Sequence, residues 1–91
     1  MLEKMIENKV CVYAREKGFL VYKFTSPQRA AVPDRLFISP TGCVFFVEFK
    51  QLGKMPTPAQ YREHDRLRGN GVDVYVIDNV EHGKELIEAY L

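Results

Sequence analysis

Tryptophan is absent from this chain, cysteine occurs only twice, and no apolar run approaches the roughly 18 residues a membrane span requires. Cys11 and Cys43 lie too far apart, and too much alone, for a disulfide framework or a zinc motif, and each sits in an apolar stretch. Both are therefore expected as buried free thiols. The N-terminus alternates charges where a signal peptide would be apolar, so a soluble, intracellular protein is expected, with no membrane partner. An excess of one charge is missing as well: 13 Lys and Arg stand against 12 Asp and Glu, a formal net charge of +1. That balance excludes a globally basic, histone-like protein, and any affinity for nucleic acid must come from local patches or a bound cation. No linker, repeat or low-complexity tract interrupts the sequence, so residues 1–91 are expected to form one small domain. A chain of this length buries roughly 60% of its unfolded surface, which leaves room only for a shallow site.

What is present reads as alternating helices and strands. From Leu2 to about Lys17, Leu2, Met5, Ile6, Val10, Tyr13 and Ala14 recur at three- and four-residue spacing, and Gly18 stands where a helix stops. Phe19 to Phe24 and Arg35 to Ser39 read as strands, and Cys43 to Phe49 as a strand buried on both faces. Thr57, Pro58 and Gln60 mark the start of a helix reaching about Arg68. Gly69, Asn70 and Gly71 end it, Val72 to Ile77 is a further strand, and Asp78 with Glu81 opens a last helix. The order αβββαβα predicts an α/β fold, a mixed β-sheet flanked by helices.

The chemistry concentrates on one hairpin. Strand alternation puts Glu48 and Lys50 on one face, at the end of an otherwise apolar strand, where charge is costly unless compensated. If Pro40, Thr41 and Gly42 form a three-residue loop with Gly42 left-handed, Ser39 pairs with Cys43 and Asp34 faces Glu48. A two-residue loop would send Asp34 to the other face. Directly opposed residues have Cβ atoms about 4.5–5.5 Å apart, so two carboxylates would meet. Their repulsion is relieved by a proton, a basic neighbour or a hard divalent cation, and an all-oxygen site favours Mg²⁺ or Mn²⁺ over zinc. Such an ion could activate water beside a phosphoryl group, with Lys50 orienting the nucleophile or stabilising the transition state.

Pro33 and Asp34, followed after the hairpin by Glu48, Phe49 and Lys50, resemble the signature of the PD-(D/E)xK nucleases. Val32 to Leu36, Val47 to Lys50, Gln60 and Gly71 together resemble the virus-type replication-repair nuclease (VRR-NUC) branch over nearly the whole chain. The resemblance implies a restriction-endonuclease-like core. It also implies Glu7, Asp34, Glu48 and the Phe49 carbonyl as metal ligands, Lys50 as catalytic lysine and Gln60 as a site residue. Its further implications are a homodimer acting on branched DNA such as Holliday junctions, in the cytoplasm, of phage or bacterial type. Ala30, Ala31 and Val32 stand where the family usually carries a glycine.

Each residue also has a plainer reading. Glu7 could be a solvated helix residue, and Glu3 competes with it on the same face. A capping box with Thr57 would alone explain Gln60, although Gln60, His64 and Leu67 share a helix face directed at the sheet. His64 is expected as a satisfied, partly buried core histidine and not as a catalytic group. Lys23, Arg29, Arg35, Lys54, Arg62 and Arg66 are expected to contact DNA phosphates, against the plainer reading of solvated charge. The expected function is thus a Mg²⁺- or Mn²⁺-dependent structure-specific DNA endonuclease. A non-catalytic DNA-binding subunit with the same fold is the alternative, and a retaining glycosidase is disfavoured by the missing tryptophan and the lysine beside the acids.

Overall fold

Gly18, at φ +91°, ends the first helix by adopting a conformation that an L side chain would resist. The computed structural model describes residues 1–91. Helix α1 spans Glu3–Glu16, β1 Leu20–Lys23, β2 Arg35–Ile38, β3 Val44–Phe49, α2 Pro58–Gly69, β4 Asp73–Ile77 and α3 Val80–Ala89. The four strands form one sheet in the order β1-β2-β3-β4, antiparallel except for the parallel β3–β4 pair, which α2 connects. No helix is long and apolar enough to cross a membrane.

The β2–β3 turn is the three-residue loop. Gly42 has φ +89°, Ser39 N–H donates to the Cys43 carbonyl at 2.8 Å, and Arg35 pairs with Val47. One register then governs both faces of the sheet. Val21, Phe37, Phe45, Val47 and Phe49 form one face, packed with Ile6, Val10, Cys11 and Ala14 of α1 and Ile87 of α3. Phe37, Phe45 and Phe49 are fully buried there, each worth about 1.5–3 kcal/mol of apolar transfer, and together they fix the height of β3 against the helices. Gly83 lets α3 approach α1, since a side chain there would collide with Val10.

Helix α2 lies on the other face but covers only its β4 side and the last residues of β3, so β3 is not buried on both faces throughout. Val44 is 48% exposed and Phe46 only half-buried, whereas Val47, Glu48 and Phe49 are buried. Cys43 is likewise exposed rather than buried, because it lies in the turn beyond the helices, while Cys11 is buried as expected. The cap of α3 is Asn79, not Asp78: Asn79 accepts the His82 N–H at 2.8 Å. The Asp78 carboxylate is engaged instead by the Gly53 N–H at 3.1 Å.

Candidate active site

Pro33 is fully buried and fixes the backbone leading into β2. The β1–β2 ladder continues one step past the strand, with the Phe24 N–H on the Asp34 carbonyl at 2.9 Å. This turns the Asp34 side chain across to β3, where Oδ2 accepts the Phe49 N–H at 2.9 Å. Glu48 stands opposite Asp34 on the same face, one step beyond the Arg35–Val47 pair. Glu48 is 2% exposed, held in place by the buried Val47 and Phe49 on either side of it in the strand.

Two carboxyls this close, one of them out of water, cannot both ionise cheaply. Burial first, and then the charge of Asp34, push Glu48 up to about 8, with Lys50 pulling the other way. Helix α2 supplies the remaining contacts. Gln60 Nε2 donates to Glu48 Oε2 at 3.3 Å, while Gln60 Oε1 accepts the Thr57 N–H at 2.9 Å and its own N–H donates to Thr57 Oγ1. The two readings of Gln60 are therefore one arrangement: the capping box orients the amide that reaches the acid. His64, one turn on, places Nε2 3.4 Å from Glu48 Oε1. It is fully buried rather than partly so, and its Nδ1 has no partner, contrary to the expectation of a satisfied core histidine.

A cleft of about 260 Å³ opens beside the pair, lined by Glu3, Glu7, Lys23, Phe24, Thr25 and Asp34. Both helix glutamates therefore face it. Glu7, expected as a metal ligand, is turned into a 2.6 Å ion pair with Arg35, and no group of three His, Cys, Asp or Glu side chains converges closely enough to form a metal cluster. Arg35, expected to contact phosphate, is engaged by Glu7 in this structure, its side chain 14% exposed. The remaining pair still suits a hard cation. Two opposed carboxyls, one of them raised to about 8 by burial and by the charge of the other, are oxygen donors of the kind that hard divalent cations take. A larger concavity of about 420 Å³ between α1 and α3 holds no such pair.

Arg29, Arg62 and Arg66 come together around a second concavity of about 360 Å³, where Arg29 Nε and Arg66 Nε lie 3.1 and 3.5 Å from the buried Glu63 carboxylate. Three guanidinium groups against one carboxylate leave this shelf positive, and Arg29 and Arg66 stay at least half exposed. Ala31, in the loop that brings Arg29 there, has φ +65°, a strained value for a residue with a side chain. Lys23 lines the cleft, and Lys54 stands apart in the exposed loop before α2.

No family model matches the sequence. It is 47% identical over 77 residues to "Putative nuclease p44" of Acyrthosiphon pisum secondary endosymbiont phage 1, across 85% of this chain and 83% of that one. A solved structure described as "VRR_NUC domain" is 34% identical and superposes with a TM-score of 0.88, covering 98% of this chain and 97% of that one. A second, described as "VRR_NUC domain protein", shares the fold at 18% identity, with a TM-score of 0.80 over 99% and 88% of the two chains.

Proposed function

Because the chain belongs to the VRR-NUC family of nucleases, we propose that it is a Mg²⁺- or Mn²⁺-dependent endonuclease that hydrolyses phosphodiester bonds in branched DNA. One observation carries this reading: Asp34, its Oδ2 on the Phe49 N–H, stands across from the buried Glu48 at the end of the β2–β3 pair, two acids from separate segments on one face. Asp34 and Glu48 would hold the ion, joined by the Phe49 carbonyl and by Glu7 once Glu7 leaves Arg35. A bound cation supplies charge to stabilise the transition state and lowers the pKa of water. Lys50, on the same face, orients the nucleophile or neutralises developing charge. Gln60 holds the Glu48 carboxylate. Arg29, Arg62, Arg66, Lys23 and Lys54 bind phosphates on either side of the scissile bond, setting register without reading bases.

The purified chain is expected to cut a four-way junction in Mg²⁺ or Mn²⁺, to bind but not cut it in EDTA, and to leave linear duplex largely intact. Full-strength junction binding with no cleavage in any metal would identify a non-catalytic subunit instead.

Two sites are needed to cut two strands, and the open half of the sheet offers the place for a second copy. Leu20, Ile38 and Val44 lie in one cross-strand row and Tyr22, Leu36 and Phe46 in the next. None is charged, and Leu20, Tyr22 and Val44 are 54%, 52% and 48% exposed. DNA would want cations on such a face; another apolar sheet would not. A patch of this kind, typically several hundred Å², can form the apolar centre of an interface of about 800 Å² per partner. Light scattering is expected to give twice the 10.5 kDa chain mass for the parent and the single mass for Leu20→Glu with Val44→Glu. Both positions are exposed, so the variant should fold; a monomeric parent, or a dimeric double variant, would remove this face from the reading.

A further inference from the structure

We infer that His64 is a positioning residue for Glu48, its Nε2–H fixing one carboxylate oxygen while Gln60 fixes the other. The inference deepens the nuclease reading and rests on it only for the identity of what Glu48 binds. Two α2 side chains one turn apart reach the same carboxyl, His64 Nε2 at 3.4 Å from Oε1 and Gln60 Nε2 at 3.3 Å from Oε2. Each uses one lone pair of its oxygen and leaves another for a ligand in the cleft.

The unpartnered Nδ1 identifies the tautomer. A proton on Nδ1 would bury an orphan N–H, a donor left without any acceptor. A proton on Nε2 leaves Nδ1 as an unprotonated acceptor, the less costly omission, and gives Glu48 a donor. His64 is fully buried in the packing between α2 and the sheet, so its ring cannot swing away without opening that packing. Gln60, by contrast, sits at the exposed start of the helix and depends on the capping box for its direction. His64 is thus the rigid member of the pair. Outer partners of this kind typically contribute 10- to 100-fold to metal affinity.

The test uses the parent, His64→Leu and His64→Gln. Glutamine can place an N–H near the position of Nε2, and leucine fills the space without a donor. Calorimetric Mn²⁺ titration is expected to show affinity at least about 10-fold weaker for His64→Leu and within about threefold of the parent for His64→Gln, both melting cooperatively. Equal affinity for parent and His64→Leu, or equal loss in both variants, would overturn the inference. ¹⁵N spectra of the parent at pH 7 read the tautomer without any substitution: Nε2–H is expected, and Nδ1–H would overturn the inference even if the leucine variant fails to fold. A parent that shows the Nε2–H tautomer yet binds no Mn²⁺ would refute the metal reading and leave the placement of Glu48 by His64 standing.

Discussion

Asp34→Asn is expected to lower junction cleavage by at least about 10³-fold while leaving the metal-free fold as stable as the parent or more so. The two effects have opposite signs because Asp34 does two things. Its Oδ2 accepts the Phe49 N–H at 2.9 Å, and the asparagine amide oxygen can still accept that bond. Its charge, however, is what raises Glu48 after burial itself, and a neutral amide removes that repulsion. In the proposed reaction the same charge holds the cation, and losing about 4 kcal/mol of transition-state stabilisation corresponds to about 10³ in rate. A residue serving structure alone would lose stability along with activity. Single-turnover cleavage and thermal melting on one preparation separate the cases: parental cleavage by Asp34→Asn would reject the proposed mechanism, and a large fall in Tm would mark Asp34 as a structural residue.

What could be read from the chain was what neighbouring residues decide. Pro40, Thr41 and Gly42 specify a loop of three, the loop specifies the pairing, and the pairing brings Asp34 to Glu48 without further information. Thr57, Pro58 and Gln60 start α2 for equally local reasons. The misjudged positions depend on partners distant in sequence. Asp78 yields the cap to Asn79 because its carboxylate is claimed by Gly53, 25 positions away. Arg35 is paired with Glu7, 28 positions away on α1, a contact that no local spacing shows. His64 looked like a core residue because it is one; only the docking of α2 on the end of β3 brings its ring to Glu48. The open half of the sheet escaped notice for a similar reason, since an apolar strand does not reveal how far a helix extends over it.

Glu48→Gln carries the other large expectation, and it is a change in pH dependence as much as in activity. A carboxyl whose folded pKa lies at about 8 and whose ordinary value is 4.5 binds more protons in the folded state than in the unfolded state throughout that interval. Stability must then fall as pH rises, fully present below about 4.5 and lost by about 8, at up to about 1.4 kcal/mol per pH unit. Glutamine has no proton to lose, so the variant's stability should stay nearly flat across the same range. It should be slightly less stable than the parent at pH 5, because its amide N–H₂ replaces an oxygen that faced the Gln60 or His64 donor, and more stable at pH 8.5. A divalent cation should reverse the ranking at high pH. By binding the folded chain through Asp34 and Glu48 it would stabilise the parent by about 2.7 kcal/mol at a hundredfold excess over Kd, raising Tm by roughly 10 °C or more in a chain this size. Glu48→Gln should show neither that rise nor cleavage. Melting curves from pH 5 to 8.5, with and without Mg²⁺, decide the matter, and parallel pH profiles for parent and variant would mean that Glu48 is ionised throughout and that the conflict with Asp34 is resolved in some other way.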